Sequence, residues 1–227
     1  MLESDIDRGL ELCRAAGWNQ VHADWNFFLA QATCFVYETN DRVVGTCAVL
    51  DPAGPVAWVA MMLVDPATRR RSIASLLLEH TLTQTQAASI GLDATDLGLP
   101  MYMKFGFLPA AKIVRWRREA APSELPLRRA QCPWRSGYES NQIGPIVAEG
   151  WAQAADQVLA CLAFDPERSW IIDVPDAADA DWHAWLESNQ FRRQRTLTRM
   201  YRGVAQLIAP HVYATSGPDY GFRRPGE

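Results

Sequence analysis

Apolar residues recur along this chain with two periods, and the switches between them predict its elements. From Asp5 to Trp18, the residues Ile6, Leu10 and Cys13 share one face at helical spacing and Gly17 supplies a stop, so the segment reads as a helix. His22 to Gln31 predicts a second short helix with a Trp25, Phe28, Leu29 stripe. Thr33 to Tyr37 and Val43 to Leu50 read as strands joined by a turn at Asn40-Asp41. Val56 to Val64 is almost continuously apolar, the pattern of a central strand buried on both faces. After Asp65-Pro66 and a basic run at Arg69 to Arg71, a helix is expected from about Ser72 to Ala88, with Ile73, Leu76, Leu77 and Leu82 lining one face. Ser89 to Ala94 reads as a short strand and Gly98 to Lys104 as a short helix. The alternation of Lys112 to Arg118 reads as an outer strand.

Glu119 to Pro126 has the composition of a linker. Beyond it the pattern predicts a strand at Gln142 to Ala148, a helix at Ala152 to Leu162, a strand at Trp170 to Val174, a helix at Ala178 to Asn189 and a strand at Arg195 to Arg202. Val212 to Thr215 adds one more short strand, and the Gly- and Pro-rich tail from Ser216 is expected to be loose. Each half runs strand, helix, strand, helix, then an aromatic and basic strand. Both second helices end alike, in KFGF at Lys104 to Phe107 and SNQF at Ser188 to Phe191. This internal repetition points to two copies of one unit, the second without its front elements. The domains expected are 1–118, a linker at 119–136, a shortened unit at 137–215 and a tail at 216–227. The class is α/β (α+β).

Composition narrows the functions open to such a chain. It has 227 residues, 48% hydrophobic and 21% charged, which is ordinary for a globular protein and excludes wholesale disorder. The net charge of −4 is spread evenly: residues 1–118 hold 11 basic and 12 acidic side chains, and 119–227 hold 11 and 14. Neither half is a basic module, so no nucleic-acid partner is expected. Of the 22 basic residues 20 are Arg, a skew that fits either composition bias or anion recognition. The five cysteines (Cys13, Cys34, Cys47, Cys132, Cys161) are odd in number and never spaced CxxC, which argues against disulfides and structural zinc. His22, His80, His183 and His211 are scattered, so no metal is expected either. No apolar run approaches a membrane span or a signal peptide, and the expectation is a cytoplasmic protein without a membrane partner.

The stretch richest in chemistry is Met61 to Leu78, MMLVDPATRRRSIASLLL. A buried strand ends, a basic loop turns and a helix begins. A helix N-terminus offers unpaired N–H groups and a partial positive charge. Small residues at Ser72 and Ala74 would let an anion approach the backbone, and Arg69, Arg70 and Arg71 would add charge. The segment is neither a Walker loop nor a GxGxxG dinucleotide turn. A solvated basic turn before an amphipathic helix is the simpler account of the same residues.

With those residues stated, the chain resembles the GNAT superfamily of acyl-CoA-dependent N-acetyltransferases. The family's Q/R-x-x-G-x-G/A signature corresponds to Arg69-Arg70-Arg71-Ser72-Ile73-Ala74, with Ser72 where the family usually has Gly. SIGLDAT (Ser89 to Thr95) resembles its fifth strand, and LPMYMKFGF (Leu99 to Phe107) its LYxKxGF segment. GWNQ at Gly17 to Gln20, Asp24-Trp25 and RMYRG at Arg199 to Gly203 resemble members with a second, C-terminal GNAT-like domain. The resemblance implies a mixed, mostly antiparallel central sheet flanked by helices, followed by a truncated second unit. It implies acetyl-CoA as co-substrate, its pantetheine arm pairing with Met62, Leu63 and Val64, its pyrophosphate on Arg69 to Ala74, and further contacts from Ser75 and Thr95. The second unit reads GPIVAEGWAQA in place of the Arg-rich loop, so one cofactor site is expected, in the first unit.

The implied reaction is direct attack of a primary amine on the thioester in a ternary complex. Tyr102 matches the family's general acid, and a phenol suits that role because it stays protonated at neutral pH. The base stays open between Asp24, Asp93 and a water; an isolated Asp at the start of a helix is also a helix cap. The acceptor is a small-molecule or peptide amine, and the chain is expected to be a monomer with pseudo-twofold tandem units or a homodimer. The alternatives are a catalytically silent acyl-CoA-binding or regulatory module, and an interaction protein using its many Trp. Trp182 and Trp185, three apart on one helix, read as core or domain interface, and Arg192, Arg193 and Arg195 as an exposed face.

Overall fold

The computed structural model describes residues 1–51, 56–121 and 133–219. A 3-10 turn at Glu3–Asp5 precedes helix α1 (Ile6–Ala15) and helix α2 (His22–Gln31). Strands β1 (Thr33–Thr39), β2 (Arg42–Leu50) and β3 (Val56–Val64) follow, then helix α3 (Ile73–Thr83), strand β4 (Ser89–Ala94), helix α4 (Leu99–Lys104) and strand β5 (Leu108–Arg118). Next come β6 (Trp134–Arg135), β7 (Ser140–Ile143), β8 (Ile146–Val147), helix α5 (Trp151–Phe164), β9 (Ser169–Pro175), helix α6 (Ala180–Ser188), β10 (Arg192–Arg202) and β11 (Val212–Ala214). This is the mixed, mostly antiparallel α/β class expected. Its chain segments form two compact units that alternate along the sequence. One takes in 1–92, 100–108 and 201–205; the other takes in 93–99, 109–200 and the segment from Gln206 on.

In the first unit the strand order is β1-β2-β3-β4. Asn40 and Asp41, at φ 50° and 55°, make the tight turn that lets β1 and β2 pair antiparallel. Helix α1 buries Ile6, Leu10 and Cys13, and α2 buries Trp25 and Phe28, while Leu77 and Leu78 are the core face of α3. Burial of each such side chain contributes about 1.5–3 kcal/mol. Helix α3 stops at Thr83, earlier than the apolar pattern suggests. The hydroxyl of Thr81 donates to Leu77 O at 2.7 Å and that of Thr83 to His80 O at 2.7 Å, and such side-chain bonds compete with helix propagation.

In the second unit the order is β10-β5-β9-β7-β6. Strand β5 is therefore interior, not the outer strand its alternation suggested. It pairs antiparallel with β9 from Ile113↔Pro175 to Arg118↔Trp170. Its buried basic side chains are held by specific acceptors: Arg115 donates from Nε and Nη2 to the two carboxylate oxygens of Asp173, both at 2.7 Å, and Arg118 donates from Nε to Asn189 O at 3.2 Å. Of the two Trp expected in the core or at a domain interface, Trp182 is core and the half-buried Trp185 packs against that core; their rings stack at 5.2 Å, and Trp182 shares one hydrophobic cluster with buried Trp116, Trp170 and Phe191. Arg192 and Arg193 are exposed, but Arg195 is half-buried.

Two other expectations change. The strand foreseen at Gln142 to Ala148 is broken at Gly144-Pro145 into β7 and β8. Gly144 has φ +134°, and a Cβ there would lie 2.2 Å from the carbonyl oxygen of Thr215, so the close chain crossing requires glycine. The start of the tail is packed: Ser216 and Asp219 are buried, the latter close to the guanidinium groups of Arg115 and Arg195. Most of the linker segment, 122–132, lies outside the described residues, as does 220–227.

Candidate acyl-carrier site

The first unit contains an opening between two parallel strands. Strand β3 pairs with β4 only at Val56↔Ser89, Ala57↔Ile90 and Trp58↔Gly91, whereas β3 continues to Val64. Gly91 permits the last of these pairs, because a Cβ there would sit 2.5 Å from the ring of Trp58. Past Trp58 the strand kinks. Met61 has φ +51°, and the β2–β3 register steps from Thr46↔Leu63 to Ala48↔Ala60, so β3 carries an extra residue opposite Cys47. A left-handed non-glycine residue costs about 1–2 kcal/mol. The hydroxyl of Thr46 donates to Met61 O at 2.7 Å in a fully buried setting. Met62 and Val64 lie half-buried beyond the kink, with Leu63 buried between them.

The loop that follows is anchored at its base and basic at its crest. Asp65 accepts from Ala67 N at 2.9 Å and binds the guanidinium of Arg8, whose Nε donates to Val43 O at 2.8 Å. The Ala67 N–H and the adjacent Arg8 hold the Asp65 carboxyl below the usual carboxylate range. Arg69 donates from Nε to Val64 O at 3.3 Å. Arg69, Arg70 and Arg71 are exposed, and among the described residues no carboxylate pairs with them. Arg70 and Ser72 both adopt left-handed backbone, at φ 63° and 60°. Ser72 is the N-cap of α3 with no side-chain cap bond, and its carbonyl accepts the helix's first bond, from Leu76 N at 3.0 Å. The N–H groups of Ile73, Ala74 and Ser75 therefore stand at an uncapped helix start beside three guanidinium groups, which is favourable ground for a pyrophosphate.

The other candidate residues are distributed as follows. Tyr102 lies on α4 in the first unit, buried, with its ring edge-on to Phe107 at 5.9 Å. Asp24 is buried at the start of α2, where its carboxylate accepts from Val21 N at 2.7 Å; this is a helix cap. Asp93 and Thr95 fall in the second unit. Asp93 is bound through both oxygens by Arg199, and Thr95 closes the turn before α4, its carbonyl accepting from Gly98 N and Leu99 N at 3.0 Å. No group of three or more His, Cys, Asp or Glu is placed to hold a metal among the described residues. Burial pushes the Cys47 thiol up to about 12 and the Cys34 thiol up to about 11, so neither is a nucleophile at neutral pH. Thr46, Met61 and the Arg8–Asp65 anchor were missed in the sequence; the one visible signal was a lone hydroxyl within the apolar run VVGTCAVL.

The second unit has a comparable divergence. Parallel pairing of β7 with β9 ends at Ile143↔Ile172, and β8 turns away after Gly144-Pro145. Here a strand lies in the gap. β11 pairs antiparallel with β8, through Val212↔Val147 and Ala214↔Ile146, and the next residue, Thr215, donates from N to Asp173 O of β9 at 2.9 Å.

Two family models match the chain, each described as an Acetyltransferase (GNAT) domain, at residues 30–109 and 134–214. The chain belongs to the GNAT acetyltransferase family. It carries two such domains, in keeping with the resemblance of its motifs. The uncharacterized N-acetyltransferase YitH of Bacillus subtilis is 27% identical over 116 residues, which is 50% of this chain and 41% of that protein. The matching segment thus spans less than half of that relative. Among solved structures, one of a putative acetyltransferase from Pyrococcus horikoshii aligns with a TM-score of 0.76 at 18% identity, over 94% of this chain and 91% of that one. A tandem GNAT protein from the clavulanic acid biosynthesis pathway aligns with a TM-score of 0.62 at 15% identity, over 90% and 97%. At these identities the GNAT structures speak for the fold of this GNAT chain alone. No helix among the described residues is long and apolar enough to cross a membrane.

Proposed function

We propose that this GNAT protein transfers an acetyl group from acetyl-CoA to a primary amine of a small molecule or peptide, within a ternary complex formed in the first unit. The observation that carries the reading is the opening between β3 and β4, which runs directly into the Arg69–Arg71 loop and the uncapped start of α3. An extended pantetheine arm would add to the free edge of β3 at Met62, Leu63 and Val64, as a strand adds to a sheet. The pyrophosphate would meet Arg69, Arg70, Arg71 and the N–H groups of Ile73, Ala74 and Ser75. Thr95, which the motif resemblance also offers as a cofactor contact, belongs to the second unit and is not assigned to this site.

In the reaction the amine nitrogen attacks the thioester carbonyl carbon. The C–S bond then breaks, and the departing thiolate takes the proton of the Tyr102 hydroxyl. Both carboxylates considered as base already have partners: Asp24 caps α2 and Asp93 is held by Arg199. The proposal therefore gives the amine's proton to water. The proposal assigns no cofactor to the second unit, whose gap contains β11 and whose corresponding segment, GPIVAEGWAQA, carries no Arg. The reading also places the protein in the cytoplasm, where acetyl-CoA is supplied.

The test is acetyl transfer from acetyl-CoA across a panel of amines, with release of free CoA thiol as the readout. Activity that falls at least about a hundredfold in Tyr102→Phe, with acetyl-CoA affinity retained, is the expected result, in the range of general acid catalysis. Binding without transfer to any amine would favour an acyl-CoA-binding module. Absence of binding at millimolar acetyl-CoA would overturn the proposal.

A further inference from the structure

We infer that Thr46 is a positioning residue for the acyl-carrier slot, holding Met61 in the kink that turns β3 away from β4. The inference rests on the acetyl-CoA reading of that slot. Thr46 sits in the middle of β2 within an apolar run, at a position with no solvent exposure, where Val would satisfy burial equally well. Its hydroxyl has one evident task, the 2.7 Å bond to Met61 O.

Opposite Cys47, β3 contains one residue more than β2, and Met61 takes up the excess by adopting φ +51°. Such a bulge rotates a peptide group out of the ladder and bends the strand. A carbonyl rotated this way inside the core needs a donor, or it remains an orphaned polar group. Thr46 supplies that donor from the neighbouring strand. Without that bond the extra residue remains, but the Met61 peptide is held less firmly, and with it the orientation of the Met62 to Val64 peptide groups that an extended ligand would pair with. Thr46 itself need not touch the ligand. Its effect passes through the Met61 peptide, which explains why a single hydroxyl in an otherwise apolar strand matters to binding.

The experiment compares the whole wild-type protein with Thr46→Val and Thr46→Ser. Acetyl-CoA binding is measured by titration calorimetry and thermal stability by scanning calorimetry. Val keeps the shape and removes the hydroxyl, while Ser keeps the hydroxyl. The expected result is acetyl-CoA binding weakened about tenfold in Thr46→Val and within about twofold of wild type in Thr46→Ser, both proteins remaining folded. If wild type binds and Thr46→Val binds equally well, the positioning role is overturned. If Thr46→Ser is weakened as much as Thr46→Val, the hydroxyl is not the agent and the inference is likewise overturned. Failure of wild type to bind acetyl-CoA would overturn the underlying reading of the slot, a result distinguishable from the other two. A purely structural role would lower the melting temperature of Thr46→Val without moving the affinity of the folded fraction.

Discussion

Arg199 donates to Asp93 through two bonds, from Nε at 2.8 Å and Nη2 at 2.7 Å, and both side chains are fully buried although 106 residues separate them. Burial pushes the Asp93 carboxyl up, and the guanidinium of Arg199 pulls it back down. Arg199→Leu removes that opposing pull and leaves a carboxylate without its counter-ion in the core. The expected cost is about 3–5 kcal/mol in chemical denaturation. The sign of its pH dependence follows. With the folded Asp93 carboxyl raised above its unfolded value, the folded variant binds the proton more tightly. Arg199→Leu should therefore be more stable near pH 5 than near pH 8, and a variant equally stable at both would contradict the pairing.

Ser72 occupies left-handed backbone at φ 60° in an exposed turn, at the position where the GNAT motif usually has glycine. Glycine takes that conformation without steric cost, although it enlarges the unfolded ensemble. Ser72→Gly should be at least as stable as wild type and, on the proposed placement of the pyrophosphate, bind CoA more tightly, since the side chain beside it is gone. Ser72→Val should lose about 1–2 kcal/mol, because a β-branched residue is the least compatible with positive φ. Denaturation curves and CoA titrations of the two variants check both statements. Weaker CoA binding by Ser72→Gly would mean that the hydroxyl serves the ligand.

β11 lies against β8, and Thr215 bonds to β9, in the place where the first unit leaves its strands apart. A titration of the whole chain with CoA should accordingly saturate at one equivalent. Saturation at two would mean that the second unit takes cofactor despite β11.

The sites most legible in the sequence were those written in contiguous residues. The strand Val56–Val64, the basic loop and the start of α3 follow one another in the chain, so their periodicity and charge could be read locally. The end of α3 and the place of β5 were less legible. Threonine hydroxyls bond helix carbonyls near the first, and the ion pair of Arg115 with Asp173 made an alternating basic strand fit the sheet interior. The partnership of Arg115 with Asp173, 58 positions away, is not visible in a window of neighbouring residues.

By itself the sequence determined the fold class, the two GNAT domains and most of the helices and strands, because helix and strand periods are local properties. Tertiary structure alone decided that β3 parts from β4 after Trp58, that Thr46 supports the left-handed Met61, that Asp93 faces Arg199, and that β11 enters the gap of the second unit. Each of these depends on a hydrogen bond or a register between residues remote in the chain. Burial makes such a partner obligatory but does not say which residue provides it.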